Sequence, residues 1–123
     1  MIQPPSENPA APPCGTLLCR LDEIGDPGAK GFEFRQGDWM FLGFVVRLGE
    51  RAIGYVDSCP HAGWPLAQAT DRYLTRDSAR IFCSGHGAVF RIEDGFCTFG
   101  PCADEFLTPW PVEVGMDGVI RTV

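Results

Sequence analysis

Cys59-Pro60-His61-Ala62-Gly63-Trp64-Pro65-Leu66 and Cys83-Ser84-Gly85-His86-Gly87-Ala88-Val89-Phe90 hold the metal-ligand chemistry of this chain. Each stretch places one cysteine and one histidine within a single loop, spaced C-x-H in the first and C-x2-H in the second. Glycine follows in both, as Ala62-Gly63 and as Gly87. Thiolate with imidazole suits iron–sulfur chemistry or zinc. Zinc fingers usually pair Cys with Cys and His with His. Here each loop mixes the two types, so each can give one ligand to each of two metals. The chain has two histidines, and both lie in these loops, which argues for ligands rather than structural imidazoles.

The paired boxes resemble the two cluster-binding boxes of Rieske proteins. Ile92-Glu93-Asp94-Gly95-Phe96-Cys97 and Gly100-Pro101-Cys102 resemble the turn and the proline-bearing loop that follow them. The resemblance runs from about Thr16 to the C-terminus. It implies a [2Fe–2S] cluster with Cys59 and Cys83 on one iron and His61 and His86 on the other. It also implies an all-β fold, an antiparallel β-sandwich or barrel base with a small cluster-binding subdomain over about 59–100. Residues 16–123 are then one Rieske domain, and 1–15 a flexible proline-rich leader.

Neutral imidazoles donate less negative charge than thiolates, so the added electron is better tolerated, on the His-bound iron. Rieske potentials accordingly span ≈ −150 to +300 mV, against ≈ −400 mV for plant-type ferredoxins. High-potential Rieske proteins of the respiratory type carry an extra cysteine in each box, a serine after the second His-Gly and a tyrosine two residues later. The corresponding residues here are Trp64, Gly85, Ala88 and Phe90. The chain is therefore similar to the low-potential soluble ferredoxins associated with aromatic-ring oxygenases. It departs from them in two places. His61 and Cys83 enclose 21 residues, more than is usual, with the excess expected as a surface excursion over 70–78. Gly85 stands where many relatives carry tryptophan.

Composition sets outer bounds. A chain of 123 residues is one domain, and its 45% hydrophobic content is ordinary for a globular protein. No apolar run is long enough to span a membrane. The first thirteen residues include five prolines and lack the basic and apolar regions of a secretory signal; the expected location is cytoplasmic. A net charge of −6 argues against nucleic acid and anionic membranes and suits a basic protein partner. Of six cysteines, Cys14, Cys19, Cys97 and Cys102 remain outside the boxes, spaced C-x4-C twice. They are read as free thiols packed as small apolar residues in a reducing compartment, with a second metal site as the alternative.

Elsewhere the chain reads as short strands punctuated by glycine. Strands are expected at 16–19, 31–34, 39–47, 52–56, 80–82, 89–92, 96–97, 112–114 and 119–122. Gly49-Glu50 and Gly115-Met116-Asp117-Gly118 are expected hairpin turns, and Asp22-Glu23-Ile24 a single helical turn. Trp39, Trp64 and Trp110 are expected to pack, with Trp64 placed to cover the cluster. Glu93, Asp94, Asp104 and Glu105 read as solvated turns.

No histidine remains for a 2-His-1-carboxylate iron site, and no G-x-G-x-x-G marks a flavin or nicotinamide site. The chain is read as a non-enzymatic one-electron carrier between a flavin reductase and a terminal oxygenase. The alternatives are a small Rieske subunit of a nitrite-reductase-type enzyme, a redox-sensing regulator, or a zinc structural module.

Overall fold

The longest strand carries apolar residues on both of its faces, and the fold is arranged around it. The structure is a computed structural model that describes residues 5–60, 65–67, 71–84 and 87–123. Its strands are β1 (Leu17–Arg20), β2 (Gly28–Gln36), β3 (Trp39–Leu48), β4 (Arg51–Val56), β5 (Arg80–Phe82), β6 (Val89–Arg91), β7 (Cys97–Phe99), β8 (Val112–Val114) and β9 (Val119–Thr122). All pairings between them are antiparallel, in three sheets ordered β1-β9-β8, β2-β3-β4 and β5-β6-β7. Apart from strands, the described residues form two 3-10 turns, Pro5–Glu7 and Leu21–Glu23. The chain is all-β, as the sequence led us to expect.

Side chains alternate across a strand, and β3 uses both sets. Phe41 and Val45 enter one core with Ile24, Trp110 and Ile120; Phe44 and Val46 enter another with Tyr55, Ile81 and Phe90. The first core joins the β1-β9-β8 sheet to β2-β3-β4. The second joins β2-β3-β4 to β5-β6-β7, and both box cysteines lie in it. Phe44 is fully buried and stacks on Tyr73 at 4.3 Å and 6°. Burying one such side chain contributes about 1.5–3 kcal/mol.

Two differences from the sequence reading have physical causes. β2 begins at Gly28 rather than Gly31, because Gly28, Ala29 and Lys30 pair with Arg47, Val46 and Val45. Those residues have little strand preference of their own, and the neighbouring strand supplies the hydrogen bonds. Trp39 is 46% exposed at the β2–β3 turn rather than packed, whereas Trp110 is 2% exposed beside Phe41. Trp64 lies outside the described residues. Of the polar excursion, 71–78 is described: Asp71, Arg72, Arg76 and Asp77 are exposed, but Tyr73 turns inward.

The leader contacts the base over its described part. Asn8 Nδ2 donates to the Met40 carbonyl at 3.1 Å. Ala10 is buried in the core that holds Phe41 and Trp110.

Candidate metal centre

β4 and β5 each run into a cysteine. Cys59 follows the end of β4 at Val56, and Cys83 follows β5 directly. Both are completely buried, in one core with Leu66, Ile81, Ala88 and Phe90. His61 and His86, their companions in the sequence motif, lie outside the described residues.

Hydrogen bonds fix the two loops to each other. Asp57, buried at the start of the first loop, accepts the Leu66 N–H on Oδ1 at 2.7 Å and the Tyr73 hydroxyl on Oδ2 at 2.7 Å. This ties both ends of the first loop to the excursion behind it. The Leu66 carbonyl then accepts the Ser84 N–H and the Ser84 hydroxyl, both at 2.9 Å. Leu66 thus joins the first loop to the second. Within the second loop, the Cys83 N–H donates to the Ala88 carbonyl at 2.8 Å and the Gly87 N–H to the Cys83 carbonyl at 2.9 Å. Gly87 has φ +74°, a left-handed conformation that glycine adopts without a Cβ penalty. Burial raises the Asp57 pKa above the usual carboxylate value, although the Leu66 and Tyr73 hydrogen bonds oppose it. Burial, and then the Asp57 charge, raise the Tyr73 phenol.

The β5–β6–β7 sheet carries a third loop to the same place. Phe82 pairs with Val89 and Val89 with Phe99, so the second box and the end of β7 share one end of this sheet. The Glu93-Asp94 turn lies at the other. Gly100 packs so closely on Ala88 that a Cβ there would stand 2.7 Å from the Ala88 Cα. The proline-bearing loop therefore rests against the second box. Ala88 and Phe90 are fully buried and carry no hydroxyl.

The four remaining cysteines divide. Cys14 is exposed, which corrects the expectation that all four pack as apolar residues; Cys19 is buried in the base. Cys97 and Cys102 share the core of Cys59 and Cys83, with 3.4 Å between their own sulfurs. Burial first, then Cys97 and Cys59, raise the Cys102 thiol pKa. Their C-x4-C spacing was visible in the sequence. Their convergence on the box cysteines depends on how β7 folds back and was not. Among the described residues, no three His, Cys, Asp or Glu form a metal site of their own.

Two buried sulfur donors on adjoining loops suit one iron, and each loop carries a histidine in sequence beside its cysteine. The model of the Rieske [2Fe-2S] domain matches residues 16–114. The chain belongs to the Rieske family. The cofactor of this Rieske domain is a [2Fe–2S] cluster. A search of the curated proteins finds no match. Among solved structures, the chain is similar to the ferredoxin of carbazole 1,9a-dioxygenase from Nocardioides aromaticivorans IC177. The identity is 22% and the TM-score 0.66, covering 88% of this chain and 97% of that one. It is also similar to a chain of the complex of reduced oxygenase and oxidized ferredoxin in carbazole 1,9a-dioxygenase. There the identity is 22% and the TM-score 0.64, covering 86% of this chain and 90% of that one. NirD of E. coli matches at 16% identity and a TM-score of 0.60, covering 88% of this chain and 94% of that one. No helix among the described residues is long and apolar enough to cross a membrane.

Proposed function

We propose that this protein is a one-electron carrier that takes electrons from a flavin reductase and passes them to a terminal oxygenase in the cytoplasm. Cys59 and Cys83 hold one iron, and His61 and His86 the other. The observation that carries this reading is the pair of fully buried cysteines on two hydrogen-bonded loops at one end of a Rieske domain. The bound cluster supplies a site that gains and loses one electron. Hydrogen bonds through Asp57, Leu66 and Ser84 tie the described ends of the ligand loops to each other, which limits reorganisation between the two oxidation states. The likeness to the carbazole dioxygenase ferredoxin supports an oxygenase as the acceptor. The likeness to NirD supports the second reading, a nitrite-reductase-type subunit. A catalytic subunit that co-purifies stoichiometrically with the chain would favour that reading.

The midpoint potential is expected near the bottom of the ≈ −150 to +300 mV Rieske range. Ala88 and Phe90 give the cluster no hydroxyl donor. Protein-film voltammetry at neutral pH measures the value; a midpoint well above zero contradicts the low-potential reading.

Electrons leave through the cluster end of the β5–β6–β7 sheet. There Phe99 is 69% exposed beside the second box, and Pro101 is exposed next to it. An exposed aromatic ring surrounded by loops suits a partner contact. Stopped-flow transfer to an oxygenase is expected to slow several-fold in Phe99→Ala and to be unchanged in Glu7→Ala. With net charge −6, transfer with a basic partner should also slow as salt screens charges beyond about 8 Å. Rates indifferent to Phe99 and to salt would place the port elsewhere.

A further inference from the structure

Cys97 and Cys102 are 0% and 1% exposed, yet neither is a box cysteine. Their sulfurs stand 3.4 Å apart. Backbone hydrogen bonds set that contact. The Cys97 N–H donates to the Glu105 carbonyl at 2.7 Å, and the Asp104 N–H to the Cys97 carbonyl at 3.1 Å. The Glu105 N–H donates to the Cys102 carbonyl at 3.0 Å, and the Ala103 N–H to the Gly100 carbonyl at 3.2 Å. The chain between the thiols is folded back on itself, and the two sulfurs meet without any larger rearrangement.

The pair lies just beneath the surface. Thr98, Phe99 and Pro101 between the two cysteines are exposed, and so are residues 103–106 after them. Local opening of such a turn takes less free energy than global unfolding. It admits a molecule as small as hydrogen peroxide.

We propose that Cys97 and Cys102 are a dithiol that hydrogen peroxide converts to a disulfide, and that this disulfide slows electron delivery. The Cys97 sulfur attacks one peroxide oxygen. The O–O bond breaks, and a Cys97 sulfenic acid and one water form. The Cys102 sulfur then displaces the sulfenic oxygen, which leaves as a second water with the Cys102 proton. Two thiols are oxidised to one disulfide, and one peroxide is reduced to two waters. Burial above all holds the Cys102 thiol protonated, which leaves the first attack to Cys97.

The effect on delivery rests on the port assigned above. The ring that the disulfide closes contains Phe99, Gly100 and Pro101. A covalent bond draws the sulfurs closer than their present contact. The Cys97 backbone is held by Asp104 and Glu105, and Gly100 already packs on Ala88. The displacement therefore falls on Phe99 and Pro101, the exposed residues of the port.

The test treats the cluster-loaded protein with stoichiometric hydrogen peroxide. Alkylation and peptide mapping are expected to find Cys97 and Cys102 in one linked peptide, two hydrogens lighter than the dithiol and distinct from any product of the exposed Cys14. Cys102→Ser should stop at a Cys97 sulfenic acid, trapped by dimedone, and Cys97→Ser should give neither product. Stopped-flow transfer to an oxygenase should slow several-fold in the treated wild type and recover when a thiol reductant opens the disulfide. Transfer by Cys102→Ser should be slowed less by the same treatment. Both cysteines still open to alkylation when peroxide has begun to bleach the cluster would overturn the proposal. So would an unchanged transfer rate in protein shown to carry the linked peptide. Mapping and reversal in the wild type stand even if a serine variant fails to load. Failure of the port reading is distinguishable, because it appears in untreated protein as a Phe99→Ala rate equal to the wild type.

Discussion

Replacing His86 with alanine is expected to leave the protein without its cluster. The chain has two histidines, and the proposed His-bound iron uses both, so no spare imidazole can move in. The loss should be complete: no red-brown colour, and iron and acid-labile sulfide near background after cytosolic expression. The fold has reason to persist. Its cores rest on Phe41, Phe44, Val45, Val46, Phe90 and Ile120, and the substitution alters none of these side chains. Circular dichroism separates the two outcomes. A strand spectrum without visible absorption is expected, and an intact visible spectrum in His86→Ala would contradict the ligand assignment.

Asp57→Ala is expected to cost about 3–5 kcal/mol of stability. The side chain is buried and accepts two hydrogen bonds, from the Leu66 N–H and the Tyr73 hydroxyl, both at 2.7 Å. Bonds to a charged group are worth about 1.5–3 kcal/mol each, and a buried donor left unpaired costs about 1–3 kcal/mol. Leu66 is completely buried, so water cannot readily replace the lost acceptor. Tyr73→Phe removes a single donor and should cost less, about 1–2 kcal/mol. Asp57→Asn retains an oxygen for Leu66 and removes a charge that burial disfavours, so it should also be milder than alanine. Urea unfolding of the three variants gives the order. Asp57→Ala should also weaken cluster retention, because Leu66 holds Ser84 and thereby the second loop. Wild-type stability in Asp57→Ala would show that the loops are held by packing alone.

The donor types and the strand order around them could be read from the residues, since ligand chemistry is local and strand alternation has a period of two. The two hairpin strands β3 and β4 and the closing pair β8 and β9 were legible for that reason. What links the loops was not. Asp57 looks like a polar residue at the end of a strand, and only the folded excursion brings Tyr73 to it. Tyr73 itself sits in a stretch rich in Asp, Arg, Thr and Ser, where one inward aromatic leaves no periodic signal. Cys102 reads as a small loop residue until the turn closed by the Cys97–Glu105 hydrogen bond sets its sulfur 3.4 Å from that of Cys97. Phe99 lies beyond the strand expected at 96–97, exposed at the end of a short edge strand.

The central claim is a cluster with mixed ligands, and nitrogen hyperfine spectroscopy of the reduced, loaded protein tests it most directly. Two nitrogens coupled to the cluster are expected, together with two irons and two acid-labile sulfides per chain. Zinc without sulfide, or a reduced cluster with no coupled nitrogen, would contradict it.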